Sequence, residues 1–464
     1  MIRVAFASAA VLSLGLAVVS SWERDVPVAA PPRFPDFGFM PAAGRYEGRV
    51  FRLSQDYPRE LPAAATIPSL CTNDFEDLKR NWKSYMLAVR DYCFEGNVRG
   101  GDVQDDWNLD EPRKRGWHHM PWQHFGTFGR EGIHGLTTES HVRPRQLAWT
   151  QTSADSQTFA VAFYNDFGGY TIGQVFRDPG RAPEKLHIEF PIGTIICKLL
   201  FVDVPLEQVP SLSPPLLWQA YVPEGHNASR RRIRDVALIQ MDFMIRHKTA
   251  PLGWLFGTFQ YNGQRKNADR VNLWNNLVPV GLQWGNDPDV REHSVNPQPT
   301  QTLINPKIRE SIINPDTDEL PPTHLGWGGR LNGPVDNPMS SCLSCHMAAE
   351  TPTISQISPM FEESPPPPGS DAWMRWFRNP GCLEPFDKGA TSTDFSLQLA
   401  LALQNYWLWR NEGEQLRADD YPAVRARARI KDAVPTQRNV RSMHDFRRPF
   451  EIEIRRDIVK PDQP

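Results

Sequence analysis

The sequence has little net charge of either sign. Its 51 Lys and Arg residues nearly balance its 54 Asp and Glu residues, which gives −3 over 464 residues. A nucleic-acid-binding protein carries a strongly basic face, so this balance argues against nucleic acid as a partner. Hydrophobic residues make up 40% of the chain and charged residues 23%, a composition that supports a folded core rather than disorder. The length predicts two or three domains.

Long apolar runs are also absent, apart from one stretch at residues 4–19 that follows Arg3 and precedes Ser20 and Ser21. A membrane-spanning helix needs about 20 apolar residues, so this stretch is short for a span. One basic residue, a short apolar run and small residues after it are typical of a secretory signal peptide. We therefore predict that residues 1–21 are a signal peptide and that the mature chain is periplasmic or secreted, in a bacterium, without a membrane span. An uncleaved anchor is the alternative.

The middle of the chain lacks the alternation of strands and helices that a parallel sheet requires. Residues 22–70 are rich in Pro, Arg and aromatic residues and predict an extended lead-in. Residues 71–320 predict a domain with one helix, between Asn73 and Gly96, followed by strands and including a turn at 166–169. The strands are expected at 159–164, 188–204, 236–245, 254–261 and 278–284. We expect an antiparallel, mainly β domain, either a sandwich or barrel-like.

Cysteine is scarce, with 6 residues in all, yet two of them form Cys342-Leu343-Ser344-Cys345-His346. This C-x-x-C-H pattern is the attachment signature of c-type haem. Two thiols at this spacing add to the two vinyl groups on one porphyrin edge, and the next residue presents an imidazole to the iron. With 6 Cys and 12 His residues, chance would give the pattern about 0.002 times. Cys342 and Cys345 are thus the predicted covalent anchors of one haem, and His346 is its predicted proximal iron ligand.

Other interpretations of the motif lack the residues that they need. A zinc site would require a second Cys or His pair at similar spacing, which the sequence does not contain. A redox C-x-x-C would require a thioredoxin-like βαβ setting. A disulfide between residues three apart would be strained.

Residues 336–412, which hold the motif, resemble the cytochrome c domain family. The resemblance implies a small all-α domain around one covalent haem, electron transfer as the activity, a redox partner protein, and a haem maturation system that attaches the cofactor. We place this domain at residues 321–412 and a charged tail at 413–464. A helix at 394–409 resembles the closing helix of the family, with an apolar stripe of Phe395, Leu399, Ala402, Leu403 and Tyr406.

The sequence departs from the family pattern at the distal iron ligand. A cytochrome c usually supplies a Met well after the motif, and here the first candidate is Met360, in a loop after Pro359. Met374, a distal His such as His324, or an open iron are the alternatives. An open iron would favour small-ligand or peroxide chemistry over simple electron transfer. Arg330, in the glycine-rich segment before the motif, is a candidate partner for a haem propionate.

Two further groups of residues could carry chemistry. Five histidines fall within residues 118–141, with Glu131 and Glu139 among them, but no pair has the H-E-x-x-H spacing of a zinc helix. We expect most of them to be bonded to the backbone, with a substrate or second metal site as the alternative. The pairing of the remaining cysteines is open; they are Cys71, Cys93, Cys197 and Cys382.

Two functions from different classes therefore remain open. The first is a monohaem c-type cytochrome that carries electrons, with the β domain binding a partner or ligand. The second is a haem-dependent oxidoreductase, in which an open iron reacts directly or the haem relays electrons from a site in the β domain. No catalytic motif is recognised in residues 23–335.

Overall fold

One antiparallel sheet of nine strands dominates the structure, a computed structural model. The strand order is β1-β3-β4-β6-β7-β8-β9, while β2 also pairs with β3 and β5 with β6. The strands are β1 Trp117–His118, β2 Thr137–Val142, β3 Ser156–Asn165, β4 Ile195–Val202, β5 Leu217–Glu224, β6 Asn227–Arg246, β7 Trp254–Tyr261, β8 Leu277–Gln283 and β9 Thr302–Ile304. The structure describes residues 34, 38–51, 54–98, 116–123, 130–148, 150–153, 156–179, 181–184, 188–224, 227–291, 299–305 and 325–413. The predicted signal peptide and the charged tail beyond residue 413 lie outside them.

The central strands are buried on both faces, which explains their runs of β-branched and aromatic residues. Every residue of β3 is buried, and so is every residue of β7. The predicted strands at 159–164, 236–245, 254–261 and 278–284 are confirmed, as is the antiparallel pairing, whereas the strand expected at 188–204 is limited to Ile195–Val202. Within the described residues β1 to β9 form one continuous sheet. Helices and loops cover its faces.

Six helices accompany the sheet in the described ranges. They are α1 Phe75–Arg80, α2 Trp82–Phe94, α3 Asp166–Val175, α4 Cys342–His346, α5 Asp371–Met374 and α6 Leu397–Gly413. The single helix predicted after Asn73 is two helices, and the side chain of Asp74 caps the first by accepting from the backbone N–H of Asp77. The turn predicted at 166–169 was wrong. Asn165 accepts from the N–H of Gly168 and starts α3 there.

The two faces of the sheet are covered by different parts of the chain. On one face, α2 contributes Met86 and Val89 to a cluster with the strand residues Cys197 and Phe243. On the other face, the strand residues Tyr164, Ile196, Met244 and Phe256 share a cluster with residues that follow position 325. The latter include Leu343, Met347, Trp373, Phe377, Leu399 and Leu403. This hydrophobic cluster therefore contains residues from both sides of the domain boundary predicted near residue 320.

Residues 325–413 contain α4, α5 and α6, joined by loops. They also contain a two-stranded antiparallel sheet of β10 Glu350–Thr351 and β11 Thr391–Ser392. The segment was expected to be all-helical, and it is not. Four residues of the predicted stripe lie on α6 and join the cluster on the sheet; they are Leu399, Ala402, Leu403 and Tyr406. The helix begins at Leu397 rather than at 394, so Phe395 joins the cluster from the turn before it.

No helix in the described ranges has both the length and the apolar character needed to cross a membrane.

Candidate functional site

The C-x-x-C-H motif forms the short helix α4, docked at the end of strand β8. Ser341 and Ser344 form a capping box, with the Ser344 N–H donating to Ser341 Oγ at 3.0 Å and the Ser341 N–H to Ser344 Oγ at 2.7 Å. The N–H of Leu343 donates to Gln283 Oε1 on β8 at 3.1 Å. The first turn of α4 thus has its backbone donors satisfied, and the motif has a fixed position on the sheet.

All three chemically active residues of the motif line one cavity. Cys342 and Cys345 are three residues apart, a spacing that places their side chains on the same side of a helix. Both line the cavity together with His346. The two thiols and the imidazole therefore open onto the same space beside the helix.

His346 is oriented as a metal-binding imidazole requires. Its Nδ1 lies 2.8 Å from the carbonyl oxygen of Phe395, and its ring lies 5.3 Å from the ring of Phe256. An Nδ1–H that donates to a carbonyl leaves Nε2 as the nitrogen with a free lone pair, the usual second-sphere arrangement of a histidine ligand. Burial lowers the pKa of His346 to about 4, so the imidazole is neutral at neutral pH, as ligation requires.

The carbonyl that holds His346 belongs to a turn with unusual backbone geometry. Asp394 and Phe395 have φ angles of 50° and 63°, in the left-handed region that residues other than glycine seldom adopt. The Asp394 carboxylate is fully buried and accepts from Trp254 Nε1 and from the N–H of Phe190, both at 2.8 Å. The sheet therefore anchors this turn, and the turn directs its carbonyl at His346.

The floor of the cavity is a face of the sheet with an apolar part and a polar part. Next to His346, the register aligns Tyr164, Ile196, Met244 and Phe256 across four strands. Met244 belongs to the same cluster as Phe256 and Phe395 and lines the cavity together with Phe256 and His346. This apolar part suits the face of a porphyrin.

Two residues further along the strands, the same face of the sheet is polar. We call Glu139, Lys198, Asp242 and Thr258 the polar row. Cross-strand pairing puts Lys198 beside Asp242 and Asp242 beside Thr258. The small Ala162 pairs with Lys198 on strand β3, and over that strand Lys198 Nζ lies 3.5 Å from Glu139 Oε2. Burial, and next the neighbouring Asp336, raise the pKa of Asp242 to about 7. No local pattern in the sequence marks Lys198, Asp242 or Thr258 as site residues.

Arg330 does not face the cavity. Its side chain is fully buried, and its guanidinium donates to the carbonyl oxygens of four residues at 2.5–2.8 Å. Those residues are Asn286, Asp287, Val290 and Trp327. The proposed propionate role was therefore wrong: Arg330 is a structural residue that ties the glycine-rich segment to the loop after strand β8. Glycine at 326 is needed because a Cβ there would lie 2.2 Å from the Ser340 carbonyl oxygen.

Neither of the described candidates for the distal ligand, Met360 or Met374, lines the cavity. Met360 lies in a 3-10 turn at Pro359–Phe361 and packs, half-buried, against the cluster on the sheet. Its neighbours Ile357 and Phe361 line the cavity, whereas Met360 does not. Met374 is buried in the same cluster, and His324 lies outside the described residues.

The histidine-rich segment is structural where it is described. His118 Nε2 lies 2.9 Å from Asp166 Oδ1, and His134 stacks on Trp218 at 4.6 Å. The Glu131 carboxylate accepts from the backbone N–H groups of Ile133, His134 and Leu136. Across the described ranges no group of three or more His, Cys, Asp or Glu residues could hold a metal ion.

The residues present thus fit a haem attached through Cys342 and Cys345 and ligated by His346. Two thiols and a neutral, oriented imidazole open onto one cavity with an apolar floor. Comparisons with models of known protein families, with curated proteins and with solved structures gave no match to this chain.

Proposed function

We propose that this protein is a periplasmic or secreted monohaem c-type cytochrome that carries electrons. The observation that supports the proposal most is the hydrogen bond between His346 Nδ1 and the Phe395 carbonyl, which leaves Nε2 available as a metal ligand in a residue that lines the same cavity as both thiols of the motif. A bound haem supplies a one-electron Fe(III)/Fe(II) couple at this position. Cys342 and Cys345 hold it through thioether bonds, and His346 is the proximal ligand.

The surrounding residues position the cofactor and limit its contact with water. Phe256 packs on the imidazole and Phe395 packs on Phe256, while Tyr164 and Ile196 extend the apolar floor. A low dielectric around a haem is one of the means by which a protein sets its reduction potential. The cytochrome c resemblance of residues 336–412 remains part of this proposal, with the difference that the segment also packs on the large sheet.

The proposal implies partners as well as a location. A haem maturation system attaches the cofactor after export directed by residues 1–21. A redox partner protein then exchanges electrons with the haem edge. Nucleic acid is not a proposed partner, because the net charge is only −3.

A haem-dependent oxidoreductase is the second candidate, and the polar row favours it. Glu139, Lys198 and Asp242 all line the cavity of the motif, and ionisable groups clustered beside a cofactor are common in active sites. In this alternative the iron keeps an open position for peroxide or another small molecule, or the haem relays electrons from a site on the sheet.

Spectroelectrochemistry combined with ligand titration separates the two candidates. An electron carrier should cycle reversibly by one electron, with low-spin iron that does not bind added cyanide at low concentration. A high-spin ferric iron that binds cyanide tightly would favour the oxidoreductase. A protein without a reversible iron couple would contradict both.

Met360 remains our proposed distal ligand, since its turn already supplies Ile357 and Phe361 to the cavity. Ligation requires the Met360 thioether to turn inward when haem is bound. Met360→Ala should then lower the reduction potential and convert the ferric iron to high spin, because thioether ligation raises the potential. Met374→Ala, in the hydrophobic cluster, is the control and should keep the low-spin spectrum. An unchanged spectrum in Met360→Ala would remove this residue from the iron.

A further inference from the structure

Two carboxylates beside the haem-attachment helix share a single amide group. Gln240 Nε2 donates to both oxygens of Asp242 at 2.9 Å and to Asp336 Oδ2 at 3.0 Å. The orientation of this amide is set by its other end, since Gln240 Oε1 accepts from the N–H of Val335. Both carboxylates contact one nitrogen, so their oxygens lie within about 6 Å of each other, close enough for like charges to disfavour double ionisation.

The backbone around the pair permits this close approach. The N–H of Gly333 donates to Asp336 Oδ2 at 3.1 Å. A Cβ at position 333 would lie 2.1 Å from Gln240 Nε2 and 2.4 Å from Asp336 Oδ2, so only glycine fits here. Gln240 is fully buried, whereas Asp242 and Asp336 are both half-buried and both line the cavity. The pair can therefore exchange a proton with solvent by way of the cavity.

The charged and titratable groups around the pair come from three elements. Lys198 on β4 is the cation nearest to Asp242 in the sheet register, and Glu139 on β2 lies against that lysine. From α4, Cys342 approaches the pair, and Asp336 acts electrostatically on His346. One lysine faces three carboxylates here, those of Glu139, Asp242 and Asp336, so the pair has an excess of negative charge to neutralise.

The pair lies next to a covalent anchor of the haem. Thr258 Oγ1 donates to Asp242 Oδ1 at 2.9 Å and lies 3.8 Å from the Cys342 sulfur. One threonine hydroxyl thus separates the carboxylate pair from the thiol that would carry the porphyrin edge. At such a distance in a buried site, a change of one charge on the cofactor acts strongly on the proton affinity of the pair.

We propose that reduction of the haem is coupled to uptake of one proton by the Asp242–Asp336 pair, so that the protein carries a proton together with the electron. This inference rests on the proposed haem function. A one-electron donor protein reduces Fe(III) to Fe(II), and one proton from solvent binds a carboxylate oxygen of the pair. Oxidation reverses both events, so charge balances in each direction.

The direction of the expected pH dependence follows from this balance. Burial already raises the pKa of Asp242 to about 7 in the protein without cofactor. The added electron makes the site more negative and raises the proton affinity of the pair further. Above the pKa of the oxidised state the pair must gain a proton on reduction, so the potential falls as the pH rises. The sloping region lies between the pKa of the oxidised state and the higher pKa of the reduced state.

Redox potentiometry between pH 5 and 10 tests the coupling. The wild-type potential should fall by up to about 59 mV per pH unit in the sloping region, the one-electron equivalent of a tenfold change. Asp242→Asn should flatten this slope near neutral pH, and so should Asp336→Asn, which alters a half-buried residue. Asp371→Asn removes an exposed carboxylate on α5 and should leave the slope unchanged. Redox difference infrared spectra should show a carboxyl proton signal that Asp242→Asn abolishes.

Each outcome decides the question. A wild-type slope that persists in Asp336→Asn and Asp242→Asn would assign the proton to another group, such as a haem propionate, and overturn the proposal. A flat wild-type potential would also overturn it while leaving the haem function intact. If Asp242→Asn does not accumulate as folded protein, Asp336→Asn alone decides. A wild-type protein without covalent haem would overturn the proposed function itself.

Discussion

The variant Cys342→Ala/Cys345→Ala should be isolated without covalently attached haem from a host that carries a cytochrome c maturation system. Both thiols line the cavity of the motif, and each is expected to form one of the two thioether bonds. Without them, any haem that enters the cavity should be extracted by acidified organic solvent. The measurement is intact-protein mass together with colour after denaturation.

Cys382→Ala is the matched control for this experiment. Its sulfur donates to the carbonyl oxygen of Leu252 at 2.9 Å, and Cys382 does not line the cavity. The control should gain the mass of one haem and remain red after denaturation. Covalent haem in the double variant, or its loss in Cys382→Ala, would contradict the assignment of Cys342 and Cys345 as the anchors.

Replacing Arg330 should cause the largest loss of stability that we expect from a single residue. Its guanidinium bonds four backbone carbonyls in a fully buried position and lies 4.6 Å from the Phe377 ring. Arg330→Ala leaves those acceptors unsatisfied, and each buried unsatisfied group costs about 1–3 kcal/mol. We expect the free energy of unfolding, measured by urea titration, to fall by more than about 3 kcal/mol.

Two further variants separate this effect from a loss of charge. Arg330→Lys keeps the charge but cannot reproduce the planar set of donors, so it should also be strongly destabilised. Arg291→Ala removes an exposed arginine that pairs with Asp371 on the surface, and should change stability by less than about 1 kcal/mol. Near-normal stability of Arg330→Ala would contradict the role of this residue as a structural tie.

Local patterns in the sequence were sufficient for much of the fold. The strands β3 and β7 were predicted because buried strands need continuous runs of β-branched and aromatic residues, and such runs can be recognised in the local sequence. The apolar stripe from Leu399 to Tyr406 on α6 also follows from spacing alone. The turn predicted at 166–169 was wrong because Asn165 is a strong N-cap and offsets the low helix propensity of two glycines.

The floor of the site could not be predicted, because it depends on the register of strands that are far apart in sequence. Lys198, Asp242 and Thr258 become neighbours only once β4, β6 and β7 are paired, and a shift of one residue would turn all three to the other face. Arg330 was misassigned for a related reason. Its partners lie 40 or more residues earlier, apart from Trp327, and the sequence near the motif does not show them.

The central claim is that Cys342 and Cys345 bind one haem covalently, with His346 below the iron. The intact mass of the wild-type protein, purified from a host with a cytochrome c maturation system, tests it most directly. Our account predicts the mass of the mature polypeptide plus one haem, with a red colour that persists after denaturation and solvent extraction. A colourless protein with the mass of the polypeptide alone, obtained from a host that attaches haem to a known cytochrome c in parallel, would contradict it.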